Sequence, residues 1–180
     1  LDKKSHPYDV LLDEFEEGMN ADKIKSLFSE LKPQLVDLLK RIKSSKKYRS
    51  YKPLIEKKKF PQDSQVKALE KLFDMMIPDH DRFTWGTTTH PFMTKISGND
   101  IRITTAFRDS PMFSFGSSAH ECGHALYELG FLEKHHGSIL GEACSYGMHE
   151  SQSRIWELQV MHSETFWKSF YPEYKKLFPS

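Results

Sequence analysis

The sequence predicts a mainly α-helical fold with one small antiparallel β-sheet in its middle. Three observations point there. Apolar residues recur at helical spacing through most of the first 80 positions. Between Arg82 and Arg108 the residue types change to strand formers, interrupted by the turn Ser97-Gly98-Asn99-Asp100. The helical pattern then returns around His120-Glu121-Cys122-Gly123-His124, where two histidines stand one helical turn apart.

Pro7 starts the first helix, because its fixed φ suits a first helical position, and Gly18 marks where it stops. Asn20 caps a second, with Ile24, Leu27, Phe28 and Leu31 on one stripe. Pro33 then kinks that helix or begins a new one carrying Leu35, Leu38, Leu39 and Ile42. Residues 43 to 60 read as linker. Asp63 or Ser64 caps a helix through Val66, Leu69, Leu72, Phe73 and Met76, which Pro78 ends.

Two or three short antiparallel strands follow, from Phe83, Thr84 and Trp85 to Ile101, Ile103 and Thr105. Ser117 and Ser118 are candidate N-caps of the next helix, Gly116 marks a break before them, and Gly130 ends it. A loop through His135-His136-Gly137, read as solvent-exposed, leads to a helix from Leu140 to about Gln159. The last segment starts at Ser163, with Phe166, Trp167, Phe170 and Tyr171 packing. The expected organisation is one unit over 1–180: helical to 80, strands at about 82–108, and two motif-bearing helices at about 115–160.

Composition narrows the function classes. The chain has 180 residues, the usual size of one domain. Its 26 basic and 25 acidic residues leave a net charge of +1, which gives no general pull toward nucleic acid or anionic membranes. The basic, tyrosine-laced run from Arg41 to Lys59 is the exception and reads as a solvated helix end plus loop. Cys122 and Cys144 are too few for a disulfide framework. Cys122 reads as a small buried residue turned away from the flanking histidines. With no signal peptide, transmembrane run or lipidation motif visible, the expectation is no membrane partner and a cytoplasmic location.

His120 and His124, at i and i+4, can reach a single Zn²⁺ while Glu121 projects beside the water such an ion activates. Zinc needs a third protein ligand. The pattern with Gly three and His six residues after His124 is absent, since those positions are Tyr127 and Gly130. Glu142 and Glu150 are the candidates, and spacing alone does not choose between them. Glu142 suits a helix start. Glu150, in mid-helix among polar groups that could orient it, is the better ligand.

The runs HECGHALYELG (120–130) and LGEACSYGMHESQSRIWE (140–157) resemble the carboxypeptidase Taq family of metallocarboxypeptidases. His90-Pro91-Phe92 with Thr94 looks like its H-P-F-x-T element, Asp100 to Thr104 like its D-x-R-x-T element, and His149-Glu150-Ser151-Gln152 like its H-E-S-Q element. Pro7 to Met19 is similar more weakly. The resemblance implies a helical zincin-like metallopeptidase piece with a small antiparallel sheet before the H-E-x-x-H helix. It implies His120, His124 and Glu150 as ligands of one divalent metal, zinc first and cobalt second. Glu121 is then the catalytic carboxylate, and the reaction is release of C-terminal amino acids from peptides.

The resemblance further suggests that His90 lines the cleft. Asp100 and Arg102 alternate with Ile101 and Ile103, so they either brace the metal site or form a plain ion pair. His149 orients a ligand or contacts substrate. An exposed strand edge before the metal helix could hold the peptide extended. A homodimer is an option by family resemblance. The family's I-R-S-x-A-D and G-x-x-Q-D-x-H-W motifs do not occur, so the chain reads as an internal piece of a longer member. The alternatives are a non-catalytic zinc-binding or interaction module, or a zinc endopeptidase or aminopeptidase on the same ligands.

Overall fold

Pro7 occupies the first turn of helix α1 (Pro7–Phe15), and Gly18, at φ 75°, turns the chain after it. The Asn20 side chain then caps α2 (Ala21–Ser44) by accepting from Lys23 N at 2.9 Å. Pro33 does not divide α2, which continues through it as one 24-residue helix. One intrahelical bond is lost at the Ser29 carbonyl, and the long helical stretches on both sides supply the rest. A short α3 (Lys46–Ser50) carries helix into the stretch read as linker.

The computed structural model describes residues 6–50 and 60–178; the part of the basic run from 51 to 59 lies outside them. The chain divides into two compact units, Leu1–Lys57 and Lys58–Ser180, where the sequence reading takes all 180 residues together. The boundary falls inside that same linker-like stretch. No described residue of α1 to α3 is buried.

In the second unit α4 (Gln62–Met76) starts directly after Pro61, with no side-chain cap from Asp63 or Ser64. It buries Leu69, Leu72, Phe73 and Met76. Three strands follow: β1 (Phe83–Thr87), β2 (Met93–Ser97) and β3 (Asp100–Thr105). Their order is β1-β3-β2. β2 pairs antiparallel with β3, but β1 pairs parallel with it, so the sheet is mixed and not wholly antiparallel as expected.

Burial explains this order. Ile101, Ile103 and Thr105 of β3 are at most 1% exposed, so β3 takes the centre. The connection from β1 to β2 must then cross roughly 10 Å, two strand spacings. The five residues Thr88 to Phe92, which bend at Thr89 and His90, supply that reach. Both ends of the crossing are tied to the end of β3. Thr88 N donates to the Thr105 carbonyl at 2.9 Å, and Thr104 N donates to the Phe92 carbonyl at 2.8 Å.

Helix α5 (Pro111–Leu129) lies against β3 and begins two turns before the expected Ser117–Ser118. Pro111 at its first turn provides the start, and Gly116 is inside the helix. Of the two serines read as caps, Ser117 bonds the Ser114 carbonyl of its own helix, and Ser118, like Ser114, forms a buried link to a neighbouring element. Ser118 Oγ bonds Thr105 Oγ1 at 3.0 Å, and Ser114 Oγ donates to Gln65 Oε1 at 2.8 Å. The Gln65 amide donates in turn to the Phe60 and Arg108 carbonyls, so these buried polar groups are satisfied.

The helix expected from Leu140 is shorter. It is α6 (Tyr146–Arg154), capped by Ser145 and followed by a π-helical turn over Ile155–Val160. Glu142 therefore sits in a loop. Ser163 caps α7 (Glu164–Leu177), which packs Phe166, Phe170 and Tyr174 around Phe115 of α5. Tyr171, expected to pack, is 52% exposed.

α5 and α6 approach closely at Gly123. A Cβ there would stand 2.6 Å from Ser153 Cα and 2.9 Å from the Gln152 carbonyl oxygen. Alanine is the better helix former by about 1 kcal/mol. Gly123→Ala is nevertheless expected to lower stability by about 1–3 kcal/mol, because backbone has to move. Urea unfolding of the metal-free chain measures this, and a more stable variant would contradict the close approach.

Candidate metal centre

His120 and His124 project from one face of α5, with ring centroids 4.9 Å apart and planes at 84°. Glu150 meets them from α6. Its Oε2 lies 3.4 Å from His120 Nε2 and 3.3 Å from His124 Nε2. The three residues each offer one ligand atom within 4.8 Å of the others. Metal–nitrogen and metal–oxygen bonds of about 2.0–2.1 Å set tetrahedral ligand atoms about 3.3 Å apart. The two measured separations fit that edge, so this donor set suits a divalent ion such as zinc.

The outward atoms of each ligand candidate are also held. His120 Nδ1 faces Glu157 Oε2 at 2.8 Å. Arg154 Nε donates to Glu150 Oε1 at 2.7 Å, and its Nη1 donates to Glu157 Oε2 at 3.0 Å. The Ser153 hydroxyl lies 3.0 Å from Glu150 Oε2. Burial raises the Glu150 carboxyl, but the Arg154 and Ser153 bonds outweigh it and keep the group below its ordinary range. One carboxylate oxygen is thus spent on Arg154 while the other faces the two imidazoles. For His124, burial first, then His149 and His120, lower the pKa to about 4, which leaves a neutral imidazole able to ligate.

Glu121 is buried on α5 beside this group. Burial pushes its carboxyl up to about 7, opposed by His120 and reinforced by Glu150 and Glu157. Cys122 is fully buried and its thiol is pushed well above its ordinary value, so it supplies no thiolate.

The structure places the other sequence candidates unevenly. His90 lines a cavity of about 480 Å³ together with His120 and Glu121. His149 Nδ1 stands 2.6 Å from His124 Nδ1. Asp100 and Arg102 form a two-pronged ion pair with each other, at 2.7 Å for both bonds, on the solvent side of β3. No bond joins that pair to His120, His124 or Glu150. Glu142 lies outside the ligand group and bonds Lys95 Nζ at 3.0 Å. His136, read as exposed, is half-buried against Gly98, where a Cβ would meet its ring.

Sequence reasoning missed Glu157 and Arg154. A signal existed: Glu150, Arg154 and Glu157 sit at i, i+4 and i+7, one face of a helix. The π-helical turn also carries Glu157, a distortion common at functional sites.

The sequence pattern of the family described as carboxypeptidase Taq (M32) metallopeptidase matches residues 1–180. Thermostable carboxypeptidase 1 of Thermus thermophilus is 39% identical over 175 residues, covering 96% of this chain and 34% of that protein. Carboxypeptidase 1 of Bacillus subtilis is 34% identical over 180 residues, covering 98% and 35%. The crystal structure of the M32 carboxypeptidase from Deinococcus radiodurans R1 superposes with a TM-score of 0.86 at 35% identity, covering 96% of this chain and 34% of that one. The chain spans about a third of the length of the curated relatives it matches.

The buried Glu121 gives this site a pH signature. Its folded value of about 7 stands above the ordinary 4.5, so between those values the folded chain holds a proton that the unfolded chain has lost. The contribution of this group to stability therefore falls as pH rises from about 4.5 through about 7. Glu121→Gln removes that titration. In urea unfolding without metal, the variant is expected to gain on wild type by of the order of 2 kcal/mol between about pH 5 and pH 8. A difference that is flat or shrinks over that range would contradict it.

Proposed function

The chain belongs to the carboxypeptidase Taq (M32) metallopeptidase family, and from that membership we propose that it carries the metal centre of a peptide hydrolase releasing C-terminal amino acids. One observation carries the reading: the His120 and His124 Nε2 atoms converge on Glu150 Oε2, with buried Glu121 next to them. In this reading His120, His124 and Glu150 are the ligands, zinc is the ion with cobalt as its substitute, and peptides are the substrates. Its location is taken as cytoplasmic; no described helix is long and apolar enough to cross a membrane.

A bound divalent ion would supply an acidified water and a polarised peptide carbonyl. The chain's own residues do the rest. Glu121, whose affinity for a proton is raised toward neutrality by burial, takes the proton from the attacking water and returns it to the leaving amine. Arg154 keeps Glu150 ionised and turned toward the imidazoles. Glu157 holds His120 by Nδ1, which leaves Nε2 free to ligate. In this reading His90, which lines the same cavity, donates to the oxygen that becomes negative as the carbonyl is attacked. Asp100 and Arg102 have no part in this scheme beyond stiffening β3.

Glu121→Gln is expected to keep one zinc per chain and to slow release of the C-terminal residue from N-blocked dipeptides at least about a hundredfold. Metal analysis and amino-acid release on the same sample measure both. An active Glu121→Gln variant would overturn the role of Glu121. Wild-type chain that holds zinc and leaves the dipeptides intact would overturn hydrolysis by these 180 residues alone and favour a zinc-binding piece that needs the substrate-binding part of a longer chain.

A further inference from the structure

His124 turns Nε2 toward Glu150, so for it to ligate through that atom its proton must sit on Nδ1. That proton needs an acceptor. The atom facing it is His149 Nδ1, at 2.6 Å. His149 then carries its own proton on Nε2, which lies 3.0 Å from Glu128 Oε1. Glu128 is 5% exposed, and a carboxylate buried so deeply is costly unless paired. Its other oxygen lies 3.0 Å from Lys95 Nζ. Lys95 comes from β2 and is itself fixed, by the Gly141 carbonyl at 2.8 Å and the Glu142 carboxylate at 3.0 Å. Four segments, β2, α5, α6 and the loop at 141–142, thus converge on a single nitrogen of His124 through one file of hydrogen bonds, in which the Lys95–Glu128 link is an ion pair.

We propose that Lys95 and Glu128 are positioning residues that act through His149 to lock His124 as an Nε2 donor. This rests on the metal-centre reading above and adds residues that lie outside the ligand set. The file runs in one direction only. Ammonium neutralises carboxylate, carboxylate takes the His149 Nε2 proton, and His149 Nδ1 is left with a lone pair for His124. It also gives Glu142 a place: it anchors the far end of the file.

Long-range ¹H–¹⁵N spectra of the metal-free chain read both tautomers directly. The expected result is His124 protonated on Nδ1 and His149 on Nε2. The reverse tautomers would overturn the proposal whether or not the chain holds metal. Zinc affinity, by competition with a chromophoric chelator, is the second readout. Glu128→Gln and Lys95→Met are each expected to weaken zinc binding about 10- to 100-fold. Far-UV circular dichroism should be unchanged. Glu164→Gln, in a surface pair of α7, should leave affinity as it is. Equal affinity in wild type and both variants would overturn the positioning role and leave the metal centre standing. Wild-type chain that binds no zinc would overturn the metal-centre reading, and the tautomers would still decide the file of bonds.

Discussion

The contact between α5 and α6 at Gly123 is the constraint on which the rest of the centre depends. The histidines need only one helix to set their mutual spacing. Glu150 belongs to another helix, and its reach is fixed by how closely Ser153 approaches Gly123. Everything else in the second unit keeps α5 rigid enough for that contact to matter. The central strand β3 covers one side of α5 with Ile101 and Ile103, and α4 and the aromatic cluster around Phe115 cover others. Buried polar links at Ser114 and Ser118 fix the rotation of the helix against α4 and the sheet.

Electrostatics at the site follow from burying acid there. Glu121, Glu150 and Glu157 gather around two imidazoles, and Arg154 bonds two of the three. The third, Glu121, answers with a raised affinity for a proton. A site with this balance of acidic groups and imidazoles favours an added cation. The same burial that raises Glu121 holds His124 neutral.

Much of the site was legible in the sequence because helical periodicity is short-range. His120, Glu121 and His124 declare their geometry within five residues. The choice of Glu150 over Glu142 needed the family resemblance, and the loop conformation of Glu142 shows why spacing failed: no continuous helix links the two. The start of α5 differs from the expectation because Ser117 and Ser118 have the chemistry of caps but spend it elsewhere, Ser117 on a carbonyl of its own helix and Ser118 on buried Thr105. The parallel pairing of β1 was invisible because residue type reports strand and not neighbour. Gly123 carries no signal of its role in the sequence, since the surface it must accommodate belongs to α6. Asp100 and Arg102 show the opposite case: alternation placed them on one face correctly, and that face is solvent.

The most direct test of this account is X-ray absorption at the zinc edge of the loaded chain. The expected spectrum shows two imidazole nitrogens and carboxylate and water oxygens at about 2.0–2.2 Å, with the outer-shell scattering of imidazole rings. A shell at about 2.3 Å, the distance of a thiolate sulfur, or a spectrum without imidazole scattering would contradict it.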